Sequence, residues 1–195
     1  DNNMVQAVLN IPLIENKLAV RGVAYRFENS GYIDNVALSQ PSAAVSAAVA
    51  AGGVARDESE FGSDEYTGFR LTALWQPMDN LDITLAYTQQ EIEQQGAPEI
   101  DLNLGDYKLS RVGVGIAGSD TESLKNDIDI TNLVINYDLG WGEVTSSSSW
   151  IDYTAALDQD LSVFLAAPYY SHGLQNIDVF TEALRLASQV DGAFQ

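Results

Sequence analysis

Residues 82–90 read DITLAYTQQ, a stretch in which apolar and polar side chains alternate. Ile83, Leu85 and Tyr87 share one parity, and the positions between them carry Thr, Ala, Thr and Gln. Successive side chains of a β-strand point to opposite faces of a sheet, so the pattern predicts a strand with one apolar and one polar side. The same pattern returns at residues 68–76, which are separated from the first stretch by a turn-like composition.

Seven segments of this kind occur along the chain and predict an all-β, antiparallel fold. Most of them reach the roughly nine to eleven residues that a tilted membrane-spanning strand needs. Strands of soluble proteins average only about five or six residues. The predicted strands cover about residues 3–11, 17–28, 65–77, 82–93, 127–139, 143–156 and 177–189.

The gaps between these strands alternate between short and long. Short gaps lie at residues 12–16, 78–81 and 140–142, and they have tight-turn compositions. The long gaps, about residues 29–64, 94–126 and 158–176, are polar and acidic. Tight turns at one end and long loops at the other are typical of an up-and-down β-barrel in an outer membrane, which predicts that the long gaps are extracellular loops.

The two sides of the predicted strands suggest roles in such a barrel. Trp and Tyr favour the membrane–water interface, because one part of each ring is apolar and another part forms hydrogen bonds. We therefore expect membrane-interface aromatics at Tyr25, Phe27, Trp75, Tyr137 and Trp141. We expect a wet lumen to be lined by Arg70, Thr72, Thr84, Asn132, Asn136 and Arg185. The same strands would also suit half of a soluble β-sandwich with its apolar side facing inward.

The charge balance excludes one class of partner. The chain carries 28 Asp and Glu against 9 Lys and Arg, a net charge of −19. Nucleic-acid binding needs clustered Lys and Arg, so it is not expected. The acids fit a solvated loop surface, or a site for a divalent or other cation. Calcium, which prefers oxygen ligands, is the candidate cofactor, at the pairs Asp127/Asp129 and Asp158/Asp160.

Motifs for catalysis are weak. The absence of cysteine excludes a disulfide scaffold, a thiolate metal site and a cysteine nucleophile. Residues 113–118 match G-x-G-x-x-G, but they lie in an acidic insert without the flanking strand and helix that a dinucleotide site requires, so we expect a flexible loop. His172 is the only histidine, and we expect it on the surface at a loop tip. We therefore expect no enzymatic activity.

No stretch is apolar enough over sufficient length for a transmembrane helix. Residues 43–55 come nearest, and they predict a small helix or turn within a loop. The chain begins at Asp1 without a signal peptide and ends soon after Asp191 and Gly192. We expect it to be a segment of a longer protein, and to be unstable when isolated.

Five blocks of sequence, in this order, resemble the β-barrel of TonB-dependent outer-membrane receptors. They are LNIPLIENKLAVR at 9–21, GYIDN at 31–35, RLTALWQP with DNLD at 70–82, NYDLG at 136–140, and EALRLAS at 182–188. Together they extend over nearly the whole chain; four lie within its predicted strands and short turns, and GYIDN lies near the start of the first long gap. In the family such blocks fall in about the first third of the barrel.

The resemblance implies that these seven strands belong to a barrel of 22 strands with a plug domain inside it. Such receptors reside in the bacterial outer membrane, among lipid and lipopolysaccharide. They take up a scarce small-molecule ligand, such as a ferric siderophore, cobalamin, haem or a glycan, with energy passed on by TonB. The TonB complex would bind an N-terminal region outside these residues, and no functional residue is carried over, because neither a TonB box nor a plug sequence is present.

The sequence thus predicts an outer-membrane transport receptor. One alternative is a plug-free porin or a structural barrel, which would be an open channel or a purely structural wall. Another is a secreted, soluble β-sandwich binding module, which would be soluble without detergent.

Overall fold

The computed structural model of the chain describes residues 2–96, 99–113, 122–167 and 169–188. Strands make up 71% of the structure and helices 6%, which confirms the all-β class. No helix within these described ranges has the length and apolarity needed to cross a membrane. In chain order the elements are β1 (Asn3–Ile14), β2 (Leu18–Asn29), β3 (Ile33–Val36), α1 (Ala43–Ala50), β4 (Val54–Ala55), β5 (Asp57–Phe61), β6 (Asp64–Met78), β7 (Leu81–Gln95), β8 (Lys108–Leu109), β9 (Val112–Gly113), β10 (Ser123–Asp138), β11 (Gly142–Asp160), α2 (Ser162–Leu165) and β12 (Tyr170–Ser188).

Seven long strands form one antiparallel sheet, here called the wall. Its order is β1-β2-β6-β7-β10-β11-β12, so each long strand pairs with the next long strand along the chain. All seven predicted strands are confirmed, and each is longer than predicted or shifted by a few residues. Among the described residues, β1 and β12 pair with one neighbour each and form the two edges of the sheet.

The predicted tight turns join neighbouring strands at one end of the wall, the turn end. In the first turn Asn16 has φ of 54° and the Lys17 amide donates to the Ile14 carbonyl at 3.0 Å. Asparagine tolerates this left-handed conformation better than most residues, which explains its place there. In the third turn Gly140 has φ of 81°, and its amide donates to Asp138 Oδ1 at 2.7 Å.

The third long gap is shorter than predicted. The hairpin of β11 and β12 continues to the pair Asp160 and Tyr170, so only residues 161–169 connect the strands, instead of 158–176. Side-chain pairing supports the longer ladder, because His172 Nδ1 lies 2.6 Å from Asp158 Oδ1 across the two strands. His172 is on the surface as predicted, but it lies in β12 and not at a loop tip.

The first two long gaps fold together at the opposite end, the loop end, and are here called the loop layer (residues 30–63 and 99–113). A three-stranded sheet of order β5-β3-β8 and a two-stranded sheet of β4 and β9 link them. Helix α1 confirms the small helix predicted within 43–55, and Ser42 Oγ caps it by accepting from the Val45 amide at 3.1 Å. Of the G-x-G-x-x-G motif, Gly113 lies in β9, whereas residues 114–118 are outside the described residues.

The apolar core of the molecule lies in the loop layer and not in the wall. One buried cluster joins Ala37, Val45, Ala48 and Val112, and a second joins Ile33, Phe61 and Leu109. In the described part of the wall, only Ala86 is a buried apolar residue. The wall is therefore a single sheet whose large apolar side chains are at most partly covered.

Candidate functional site

Strand register divides the side chains of the wall between two faces. Thr72 on β6 lies opposite Ala86 on β7, which lies opposite Asn132 on β10. Asn136 on β10 lies opposite Thr145, which lies opposite Arg185 on β12. Because directly paired residues and residues two apart share a face, all six predicted lumen residues lie on one side, here called the polar face: Arg70, Thr72, Thr84, Asn132, Asn136 and Arg185.

Cross-strand hydrogen bonds run along the polar face. Asn132 Nδ2 donates to Ser149 Oγ at 2.7 Å, and the Thr145 hydroxyl donates to Asn136 Oδ1 at 2.9 Å. Tyr153 donates to Asn126 Oδ1 at 2.8 Å. Amide and hydroxyl groups both donate and accept, so these positions suit contact with water or polar solutes. Towards the loop end the same face also carries apolar side chains: Ile92, Ile128, Ile130, Ile151 and Val179.

Tyr25 crosses the polar face over a glycine. A Cβ at Gly68 would lie 2.6 Å from the Tyr25 hydroxyl oxygen, so the ring occupies the space of the absent side chain. The hydroxyl reaches one strand further and donates to Gln90 Oε1 at 2.7 Å. An aromatic ring packed over a strand glycine in this way shields its backbone and fixes the register.

The predicted interface aromatics do not form one group. Tyr25 and Phe27 lie on the polar face, opposite Gly68 and Tyr66, whereas Trp75 and Tyr137 lie on the other face. Trp141 lies in the turn between β10 and β11 and is 54% exposed. An aromatic residue near a strand end can lie on either face of the wall, because strand pairing and parity determine the face.

The second face, here called the banded face, is apolar towards the turn end. Leu71 is 50% exposed, Leu85 48% and Leu184 75%, so about half or more of each residue remains accessible. The apolar band consists of Leu9, Ile11, Val20, Leu71, Ala73, Trp75, Ile83, Leu85, Leu133, Ile135, Tyr137, Val144, Leu184 and Leu186.

Towards the loop end the banded face becomes charged. Arg26 pairs with Glu65 at 2.7 Å, and Lys125 pairs with Glu93. The remaining belt is mostly acidic: Glu28, Glu91, Asp127, Asp129, Asp152, Asp158 and Asp178. One face therefore changes from apolar to charged along the strand direction.

Aromatic rings mark this boundary. Phe69 and Tyr87 meet with centroids 5.7 Å apart, and Trp150 and Phe180 with centroids 5.2 Å apart. The Tyr87 hydroxyl donates to Asp129, the first charged residue beyond it on β10. These four rings were missed in the sequence, although each is followed on its own strand, two residues towards the loop end, by a polar or acidic position.

One polar group interrupts the apolar band. Glu182 on β12 accepts from Ser146 Oγ at 2.9 Å and from Ser148 Oγ. The two serines belong to a run of four serines, residues 146–149, in β11. Register places this carboxylate between Phe180 and Leu184 on the banded face.

A buried ion network fastens the loop layer to the wall. Arg111 Nη1 donates to Glu122 Oε1 at 2.7 Å and to the Asp160 carbonyl at 3.2 Å, and Glu122 Oε1 also accepts from the Asp160 amide at 2.9 Å. Asn35 holds the Arg111 backbone, since its Oδ1 accepts from the Arg111 amide at 3.0 Å. Burial raises the pKa of Glu122, and Arg111 opposes that effect only in part.

A polar cleft of about 470 Å³ lies where the loop layer meets the wall. Asn29, Asp64 and Gln94 enter it from one row of the polar face at the ends of β2, β6 and β7. Tyr32 stands at its side, 60% exposed, and contacts Tyr107 edge to face with centroids 5.9 Å apart. No feature of the sequence indicated a cleft at these residues, although Tyr32 belongs to the block GYIDN at 31–35.

The members of each acidic pair proposed for calcium lie two residues apart on one face of a strand, β10 for the first pair and β11 for the second. Asp127 and Asp129 lie in the belt, Asp158 contacts His172, and the Asp160 backbone joins the Arg111 network. In the described ranges no three His, Cys, Asp or Glu side chains are placed to hold a metal ion.

Comparison with protein-family models, with curated proteins and with solved structures finds no match to this chain. The resemblance to TonB-dependent receptors therefore rests on the five sequence blocks alone.

Proposed function

We propose that this chain is a section of the barrel wall of a TonB-dependent receptor in the bacterial outer membrane, where it takes part in uptake of a scarce small molecule. The banded face carries this proposal. Its apolar band would face the lipid, the polar face would line the lumen, and the loop layer would lie outside the cell.

Energetics support a lipid environment for the apolar band. An exposed Leu, Ile or Val side chain gains about 1.5–3 kcal/mol when it leaves water. Across the described residues no second layer covers the band, as the partner sheet of a β-sandwich would. Lipid chains would cover it without any further protein element.

The margins of the band support the same placement. Phe69 and Trp75 lie at its two margins on one strand, six residues apart. At about 3.3 Å per residue and the roughly 40° tilt of barrel strands, they would lie about 15 Å apart along the membrane normal, within the roughly 25 Å apolar band of outer-membrane barrels. Aromatic rings at both margins correspond to the two interfacial girdles of such barrels.

The sorting of connections supports an orientation. Three tight turns lie at the apolar end of the wall and would face the periplasm, whereas the charged belt and the loop layer would face outward. The belt would lie at the level of the lipopolysaccharide headgroups.

A receptor and a porin would differ in conductance. The five blocks resemble receptors, whose plug closes the barrel, so the intact protein in planar bilayers is expected to show no steady open conductance. Membrane fractions of the producing bacterium are expected to contain it in the outer membrane. A large, constant conductance would favour the porin, and recovery of the intact protein in the detergent-free soluble fraction would exclude both barrels.

A further inference from the structure

We infer that the cleft beside Tyr32 binds a neutral, polyhydroxylated ligand, that is, a short uncharged oligosaccharide. The inference deepens the proposed function by naming the ligand class, and its role in uptake rests on that function. The binding itself requires only the cleft.

The volume of the cleft suits a small ligand. About 470 Å³ falls within the roughly 300–1,000 Å³ of small-molecule sites. It lies on the polar face at the loop end, where three adjacent strands end side by side in Asn29, Asp64 and Gln94.

The lining has the hydrogen-bonding chemistry of hydroxyl recognition. Asn2, Asn29 and Gln94 supply neutral amides, each of which donates and accepts, as a sugar hydroxyl does. Asp64 adds a carboxylate to the lining, a group that can accept a hydrogen bond from a ligand hydroxyl.

The charges around the cleft argue against an anionic ligand. Its described lining contains Asp64 and no Lys or Arg. An adjoining cleft of about 630 Å³ shares Asn29, Asp64 and Gln94, and its only described cation is Lys125, which is paired with Glu93. A phosphorylated or carboxylated sugar would meet repulsion there, whereas a neutral sugar would not.

Tyr32 supplies a flat ring for the apolar face of a sugar. The face of an aromatic ring carries partial negative charge and attracts the C–H groups of a pyranose, while the hydroxyl can form a hydrogen bond. The ring is 60% exposed, so a ligand can reach it.

The backbone around Tyr32 is closely held before any ligand binds. A Cβ at Gly31 would lie 1.7 Å from the Glu60 carbonyl oxygen, so the chain approaches itself as closely as glycine permits. Tyr107, which packs against Tyr32, has φ of 57°, and its carbonyl accepts from the Asp34 amide at 2.8 Å. A bulky residue in this conformation is an outlier of the kind that gathers at binding sites, and a prearranged site loses less entropy on binding.

The test is calorimetric titration of the full chain with maltotriose, cellotriose and xylotriose, with glucuronic acid as the anionic comparison. At least one trisaccharide is expected to bind saturably, and glucuronic acid is not. Tyr32→Leu is expected to weaken binding roughly tenfold, because it removes the ring face, whereas Tyr32→Phe stays within about threefold. Tyr169→Ala, which changes an exposed tyrosine outside the cleft, serves as the matched control and should bind as the parent chain does.

The inference is overturned if none of the three trisaccharides binds, if Tyr32→Leu binds as tightly as Tyr32→Phe, or if glucuronic acid binds equally well. Circular dichroism of each variant separates lost binding from lost folding. Titration is done both in detergent micelles and in buffer. Evidence against the membrane location would therefore leave the sugar-binding result valid, and a lack of sugar binding would leave the membrane location untouched.

Discussion

At the scale of single residues, Gly68 shows how the wall tolerates a strand glycine. Tyr25 fills the space above it and bonds to Gln90, so one ring connects three strands. The same position has no freedom for a larger residue, because a Cβ would also lie 2.8 Å from the Gln89 carbonyl oxygen.

Gly68→Ala is therefore expected to lower the free energy of unfolding by about 1–3 kcal/mol through overpacking and loss of the Tyr25 bond. Gly22→Ala is the matched control, since its Cβ would meet only Leu71 Cδ2 at 3.6 Å. Urea titration of both variants in micelles measures the difference. Equal stabilities would contradict the packing described for Tyr25.

Arg111 and Arg26 provide a second comparison at this scale. The Arg111 side chain is 9% exposed and that of Arg26 is 57% exposed, although both pair with glutamates. Arg111→Met leaves Glu122 buried without its cation, and breaking a buried pair in this way costs about 3–5 kcal/mol. Limited proteolysis of Arg111→Met should then cut the loop layer, whereas Arg26→Met should leave the digestion pattern unchanged. Resistance of both variants to the protease would contradict the claim that the Arg111 network holds the loop layer on the wall.

The raised pKa of Glu122 gives a pH dependence with a definite sign. The folded chain holds this proton more readily than the unfolded chain, so its contribution to stability falls as the pH rises from the ordinary value of 4.5 through the raised pKa. Relative to Glu122→Gln, the parent chain is expected to gain stability as the pH is lowered from 7 towards 4.5. A difference that is constant over this interval would show that burial does not control this carboxyl.

At the scale of elements, the long strands and helix α1 were predictable, whereas the packing of the loop layer was not. Period-two alternation along β6, β7 and β10 identifies a strand and the parity of each side chain, which is why the six polar-face residues were predicted together. The buried residues of the loop layer, such as Val45 and Val112, come from different inserts and show no local period. Their association depends on the folded chain path, and so does the Arg111 network.

The same reasoning explains which features of the wall could not be read from the sequence. Tyr25 and Phe27 were grouped with Trp75 because all three lie near strand ends, yet strand pairing places them on opposite faces. The boundary rings, Trp150 and Phe180 among them, become recognisable only when neighbouring strands are aligned. The length of the third hairpin was underestimated because residues 170–176 lack a clear alternation.

Gly31→Ala tests whether the loop layer depends on the close approach at Glu60. Its Cβ would overlap backbone atoms that cannot move aside cheaply, so the first insert should lose its packing while the wall remains folded. Hydrogen exchange should rise in residues 30–63 and stay low in β6 and β7. Gly105→Ala, which meets no atom within 4 Å but has φ of 103°, controls for backbone strain alone; equal exchange in both variants would argue against the close approach.

At the scale of the whole molecule, the two faces of the sheet differ chemically most clearly towards the turn end. Leu85 and Thr84 are neighbours in sequence and lie on the banded and polar faces respectively. In water a change from Leu to Asp at an exposed position would be tolerated. In the proposed wall it would place a charge against lipid, whereas the same change at Thr84 would face the lumen.

Leu85→Asp is thus expected to reduce the folded fraction in lipid vesicles, with a cost of about 2 kcal/mol, and Thr84→Asp to leave it nearly unchanged. Protease protection in vesicles of defined composition measures both. Equal insertion of the two variants would mean that the faces do not differ in their surroundings.

The most direct test of the membrane placement is fluorescence quenching by brominated lipid chains. Three single-tryptophan chains are compared in vesicles: Trp75 alone, Trp150 alone, and a chain without native tryptophan that carries Tyr25→Trp on the polar face. Strong quenching is predicted for Trp75 and Trp150, which border the apolar band, and little for the tryptophan at position 25. Equal quenching at all three positions, or none at Trp75 and Trp150, would contradict the placement of the banded face in lipid.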